Sequence, residues 1–412
     1  MEKKFLLGFL VCLILSSCES RTLMRTVQIS QADRESLFTL DIGMLEDQIA
    51  IYDFEGHRGG RRPVDIAMRN GLFYISNSNG AKILRYNSYG DLLFMIYNED
   101  FNPPPLTLRP LVEGTLVTRW AVSYPLLEPG WVCVDSRSHI YVQDRLPQEL
   151  QSFDSPNMAL LDNVVLHFDA DGRFLRHLGR EGIGGTPFPM IEGLYATNQD
   201  ELAVICRLSG GWEIYWYDPE GLLLFMVRLN LDALPIPPGG DDIFPSLDRI
   251  SVGPNGRKLY VKIDYYHYTY DDSTNTRTGI EPSTSVVWIM DAQEGIWDNH
   301  VAVPFFEYMF MDQNRRVVNS MPYSLLGITQ NERIFLYFPA EGGYSIFIVS
   351  AAEDSFGDQH QSFIQVANEE LQFNAFDLSA DGILSGLLVD EYQVRLIWWR
   401  TDLLIQESFD ER

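Results

Sequence analysis

A hairpin pattern recurring six times limits what this chain can fold into more than any other feature. VDIAMRNGLFYISN from Val64, WVCVDSRSHIYVQD from Trp131, GLYATNQDELAVIC from Gly193, RISVGPNGRKLYVK from Arg249, LLGITQNERIFLYF from Leu325 and FDLSADGILSGLLV from Phe376 each read as an apolar strand, a polar turn and a second apolar strand. In four units a further hairpin follows around a glycine: LRYNSYGDLLFMI, LHFDADGRFLRHL, YWYDPEGLLLFMV and VWIMDAQEGIW. The first-turn residues Gly71, Ser138, Asp200, Gly256, Asn331 and Gly382 stand 51 to 75 residues apart. Four strands per unit at this period predict an all-β fold, a six-bladed β-propeller of four-stranded antiparallel blades spanning residues 36–412. Two strand-like runs, LFTLDIG from Leu37 and QIAIYDF from Gln48, precede the first full unit. A propeller removes its free sheet edge by pairing an N-terminal strand with the last blade, and one of these runs is expected to close the ring in that way. LLIQESF from Leu403 competes as the fourth strand of the last unit, so the sequence leaves open which N-terminal strand pairs where.

The chain opens MEKKFLLGFLVCLILSSC. Lys3 and Lys4 precede an apolar run, Phe5 to Leu15, that is too short for the roughly 20 residues of a spanning helix. Residues 1–17 therefore read as a signal peptide outside the fold. Leu15-Ser16-Ser17-Cys18 resembles the bacterial lipobox, which implies cleavage before Cys18 and acylation of its thiol with palmitate-type chains. Two or more such chains give stable attachment to a membrane that the protein does not cross. Glu19 stands where lipoproteins held at the inner membrane carry Asp, so the resemblance favours the outer membrane of a bacterial envelope, and the overall look is similar to acyl-anchored propellers of spirochaetes. Residues 18–35, polar and without periodicity, read as a flexible tether.

The net charge is −26. Phosphate contacts need clustered Lys and Arg, so nucleic acid is excluded as an expected partner. Of four cysteines, Cys12 leaves with the signal and Cys18 is the lipidation site, while Cys133 and Cys206 sit in apolar strands as buried free thiols. No disulfide framework holds the fold.

The second and third units resemble NHL repeats. FLRHLGREGIGGTPFPMIEGL supplies Gly179, Gly182, Gly185, Phe188 and Pro189 in the order of that pattern, and GHRGGRRPVDIAMRNGLFYISNSNGAKILRYNSYG supplies the equivalent features upstream. The likeness fades over units four to six. It implies six blades and, as in most such propellers, a binding role; a few members are enzymes built around a central metal.

Propeller topology sorts the loops. Links within the first hairpins, RNG, SRSH, NQD, PNGRK, QNE and ADG, are short, and so are most second-hairpin links, with AAEDSFGDQ longer. The opposite end collects residues 99–130, 143–163, 230–247, 265–284 and 304–323. Long ordered loops in compact domains more often carry function than short ones do. That end is the expected binding face. Within it DYYHYTYDDSTNTRTGIEPS is the most suggestive segment, and Tyr265, Tyr266, Tyr268, Tyr270, Asp271 and Asp272 are the candidate binding residues, because Tyr offers amphipathic area with few rotors. The same alternation also fits an extended hairpin arm whose rings pack on a neighbouring loop.

Catalytic signatures are weak. GREGIGG lacks the Lys-Ser or Lys-Thr ending of a phosphate loop, Asp169-Ala170-Asp171-Gly172 lacks the later ligands of a calcium loop, and His57, His139, His167, His177, His267, His300 and His360 show no HxH or HExxH spacing. No catalytic residue, metal ligand or cofactor is assigned beyond the lipid on Cys18. Three readings compete: a monomeric, membrane-tethered, non-enzymatic scaffold that engages an envelope protein or extracellular ligand through the long-loop face; a metal-dependent lyase or lactonase-like enzyme with its site in the central channel; and a glycan-binding module. The first is favoured. A broad apolar and aromatic surface on that face marks it, and converging His and carboxylates at the axis mark the second.

Overall fold

A computed structural model describes residues 30–52, 62–111, 118–240, 242–312, 315–367 and 370–404. The signal segment, Cys18, His57 and Asp241 lie outside these residues. Each of the six first hairpins forms, and each supplies the innermost two strands of a sheet. The turn Asn70-Gly71 shows why the sequence bends there: both residues have positive φ, 52° and 73°, the combination that a two-residue hairpin needs and that Asn and Gly tolerate.

Among the described residues, six sheets of at least four strands result. The first comprises Val64–Arg69, Leu72–Asn77, Lys82–Asn87 and Leu92–Tyr97, the second Val132–Val134, Ile140–Arg145, Asn163–Phe168 and Phe174–Gly179, and the third Met190–Ala196, Leu202–Leu208, Gly211–Tyr217 and Leu223–Asn230. Phe244–Val252, Lys258–Tyr270, Arg277–Asp291 and Ile296–Val303 make the fourth, Ser324–Ile328, Arg333–Ala340, Gly343–Ser350 and Gln359–Gln365 the fifth. The sixth holds Phe373–Leu378, Leu384–Val389 and Gln393–Trp399, and its fourth strand is Arg34–Asp41 from the N-terminal end of the chain. The innermost strands lie side by side in a closed circuit, the first against the second and the sixth back against the first. The fold is an all-β propeller.

Between each neighbouring pair of sheets lies one cluster of buried side chains, including the space between sixth and first, where Leu40, Val64, Ile66, Leu387 and Val394 meet. A strand buried on both faces reads as a nearly continuous apolar run, and all eight residues of Gly343–Ser350 are buried. The outer strand Leu223–Asn230 has one face toward water and alternates instead. Cys133 and Cys206 are free and buried, as expected. Carboxylates clasp the inner strands across sheets: Asp65 accepts the Val132 N–H at 3.0 Å, Asp248 the Leu325 N–H at 3.0 Å, and Asp377 the Met68 N–H at 2.7 Å. Burial pushes the Asp377 carboxyl up to about 7, with the neighbouring Asp65 acting in the same direction.

The structure corrects four details of the sequence reading. Ordered pairing begins inside the expected tether, since Ser30–Gln31 lies parallel to the outer strand of the fifth sheet and the closing strand starts at Arg34. Arg34–Asp41 fills the closing position that the run from Leu403 was expected to contest; residues 401–404 are helical, and the rest of that run lies outside the described residues. Among its described residues, QIAIYDF makes only an isolated bridge, Ile42 with Ile49. Finally, not every sheet stops at four strands: Trp120–Ser123 and Arg109–Pro110 extend the first in parallel, and Gly182–Ile183 extends the second. These additions shield outer edges that would otherwise present unpaired backbone groups. Among the described residues no helix is long and apolar enough to cross a membrane.

Candidate functional site

The strand order places nearly all the long excursions at one end of the ring, with residues 351–358 of the fifth sheet at the other. Three of them carry ribbons of their own. Ser152–Asp154 pairs with Ala159–Leu161 in the second sheet's insertion, Phe306–Asp312 pairs with Arg315–Met321 between the fourth and fifth sheets, and the middle strands of the fourth sheet run on into a hairpin arm ending at Tyr270 and Arg277. All three expose large apolar side chains, among them Phe153, Met158 at 71%, Ile280, Tyr308 and Met309. The opposite end exposes residues on its short turns, such as Tyr89 and Ile296, and Phe356 on the longer link of the fifth sheet.

The arm separates the six residues singled out from sequence. Tyr265 does not belong to a binding surface: it is fully buried, its hydroxyl donates to the Pro235 carbonyl and accepts from Trp288 Nε1 at 2.8 Å. Side chains along a strand alternate faces, which sends Tyr266 and Tyr268 the other way. Both stack on Phe244, at 6.0 and 4.7 Å between centroids, and the Arg277 guanidinium lies 3.5 Å over the Tyr268 ring. Tyr270 is half exposed at the tip. Asp271 holds the turn together, accepting the N–H groups of Ser273 at 2.9 Å and Thr274 at 2.8 Å, and the hydroxyl of Ser273 followed by these bonds draws its carboxyl down to about 2. Asp272 is exposed beside it. The arm thus exposes Tyr270 and Asp272, while Tyr266, Tyr268 and Asp271 shape it.

Sequence reasoning missed a cavity of about 180 Å³ at the axial mouth of the same end. Its lining comes from residues that begin or end strands of the first three sheets, so no single segment signals it. Arg62 stacks on the Trp131 indole at 3.7 Å and pairs with Asp65 at 2.7 Å. The indole Nε1 donates to the Ile191 carbonyl at 3.1 Å. Across the cavity Arg145 stands 3.2 Å from both Glu128 and Asp162, and Gln143 donates to Asn163 at 2.7 Å. Below, Asp144 accepts the N–H groups of Leu127 and Glu128, and burial pushes its carboxyl up to about 7. Glu192 completes the wall. Deeper along the axis all six inner strands line a space of about 160 Å³ containing Asp65, Asp377, Arg69 and Arg249.

At the short-turn end two histidines distant in sequence meet, His139 Nδ1 and His167 Nε2 at 3.0 Å. Burial drives His167 down to about 3, which keeps it neutral, and Asp135, 3.9 Å from His139, is committed to Arg137 at 2.7 Å. Among the described residues no three His, Cys, Asp or Glu side chains stand close enough to share a metal ion. The loops considered for phosphate and calcium are turns: Asp169 Oδ1 accepts the N–H groups of Asp171 and Arg173, and Gly179 pairs with Gly182.

No protein-family model matches the chain, and no characterised protein matches it in sequence. Solved structures include the β-propeller domain of the Trilobed protease from Pyrococcus furiosus, at 11% identity over 66% of this chain and 82% of that one with a TM-score of 0.34. Another is the Penicillium chrysogenum alpha-L-arabinanase complexed with arabinobiose, at 12% identity over 88% and 98% with a TM-score of 0.43.

Proposed function

We propose that this protein is a six-bladed, NHL-like propeller lipoprotein, anchored through Cys18 to a bacterial envelope membrane, that works as a monomeric, non-enzymatic scaffold. Its long-loop end engages an envelope protein or an extracellular ligand. One observation carries the reading: the ribbons Ser152–Leu161 and Phe306–Met321 and the arm tip expose large apolar side chains, and all three stand at the same end of the ring. Contiguous exposed apolar surface rimmed by polar residues marks an interaction site, and methionine adapts to the shape of a partner.

The test is in-cell photocrosslinking of the full-length protein. A crosslinker at Met158 or Met309 is expected to yield discrete adducts, and one at Tyr89 or Ile296 on the short turns is not. Adducts confined to the short-turn positions would overturn the assignment of the face. In parallel, Cys18→Ser is expected to release the protein from the membrane fraction; unchanged membrane retention would remove the lipid anchor from the proposal.

A further inference from the structure

At the cavity on the axial mouth, one carboxylate has a buried oxygen that accepts no hydrogen bond. In the inner strand Met190–Ala196 the ladder pairs Ile191 with Cys206 and Gly193 with Ile205, so Glu192 is the extra residue of a β-bulge. A bulge re-aims the side chain it carries, and this one lines the cavity. The fourth and fifth sheets skip the equivalent residues, Asp248 and Leu326. Asp248 is used up within the fold, accepting the Leu325 N–H at 3.0 Å with Lys262 3.6 Å away, and Leu326 is apolar.

Glu192 is one methylene longer than Asp248 and, unlike it, accepts no backbone N–H. Its Oε1 is buried and accepts no hydrogen bond. The nearest cation, the exposed Arg207 guanidinium, stands 3.6 Å away. A buried acceptor without a donor costs free energy that an incoming donor recovers. The other charges around the cavity pair more closely, Arg62 with Asp65 at 2.7 Å and Arg145 with Glu128 and Asp162 at 3.2 Å. The lining therefore carries one more carboxylate than guanidinium, in a chain of net charge −26.

We propose that this cavity is a socket for one basic side chain, arginine or lysine, presented by the protein that docks on the long-loop end. Glu192 receives the cationic head. Trp131, Met190 and Ile191 provide apolar wall for the methylene stem, as amphipathic side chains require. The proposal rests on the docking reading above for its partner, but the socket itself is testable without one.

The experiment uses the full-length protein in detergent, with Nα-acetyl-arginine amide and its neutral isostere Nα-acetyl-citrulline amide as probes, read by calorimetry or ligand NMR. The arginine probe is expected to bind on the order of tenfold tighter, the size of effect a charge-assisted hydrogen bond supports. Glu192→Gln is expected to erase that preference and Glu192→Asp to weaken it, with folding checked by circular dichroism. Glu294→Gln on a short turn is expected to preserve it. Equal binding of the two probes, or an undiminished preference in Glu192→Gln, overturns the socket. Crosslinks from Met158 without an arginine preference would sink the socket and spare the docking end; the reverse result would sink the docking end and leave a cation site.

Discussion

At the scale of single residues, Lys82 shows how a buried charge leaves a measurable trace. Its side chain is fully buried under the segment Gly43–Gln48, where Nζ donates to the Leu45 carbonyl at 2.6 Å. Burial lowers its pKa from 10.5 to about 7, against the opposing pull of Asp47 and Glu46. For a base depressed in the folded state, the unfolded chain holds a proton between these two values that the native protein has released. Stability from this group therefore rises as pH climbs from about 7 to 10.5, by at most about 1.4 kcal/mol per pH unit, and is lost again on acidification. Lys82→Met removes the titration while keeping an apolar stem. Urea denaturation at pH 6.5 to 9.5 is expected to show the variant gaining most at the acid end, with the difference shrinking toward alkaline pH; parallel profiles would mean that Lys82 is solvated in the native state.

At the scale of elements, the fourth-sheet arm divides into a structural base and an exposed tip. Tyr265 supplies the base: Tyr265→Phe leaves Trp288 Nε1 without its acceptor and Pro235 without its donor, at a cost of about 1–3 kcal/mol for stranded buried polar groups. Asp271→Ala loosens only the tip turn. Chemical denaturation should accordingly place the midpoint of Tyr265→Phe clearly below the native one and that of Asp271→Ala close to it. Equal losses would erase the distinction between base and tip. The same arm marks where sequence reading succeeded and failed. The YYHYTY alternation correctly announced an extended hairpin, because a period of two is a property of the backbone alone. Which of the two faces meets solvent depends on Phe244, Trp288 and the loop at Pro235, and none of these is local to the motif. The Glu192 bulge was invisible for a similar reason: an extra residue in a ladder is defined by its partner strand.

At the scale of the whole molecule, the repeat announced the ring because each hairpin carries its own turn chemistry and its own apolar strands. The closing strand was less legible, since Arg34–Asp41 is separated by most of the chain from Gln393–Trp399, and two other runs offered similar strand character. The pairing of Asp41 with Gln393 supplies a direct test. Paired residues in an antiparallel ladder have Cα atoms about 4.5–5.5 Å apart, within the span of a disulfide. Cys133 and Cys206 are buried and out of reach of the exchange. Asp41→Cys with Gln393→Cys is therefore expected to oxidise readily and to bind the closing strand Arg34–Asp41 to the last strand Gln393–Trp399. Because the crosslink encloses nearly the whole chain, it restricts the unfolded state strongly, by about 6 kcal/mol in the chain-entropy account. Oxidised protein should melt several degrees above the same protein reduced, while each single variant melts alike under both conditions. A pair that fails to crosslink, or that crosslinks without raising the Tm, would place the seam of the propeller somewhere other than between these two strands.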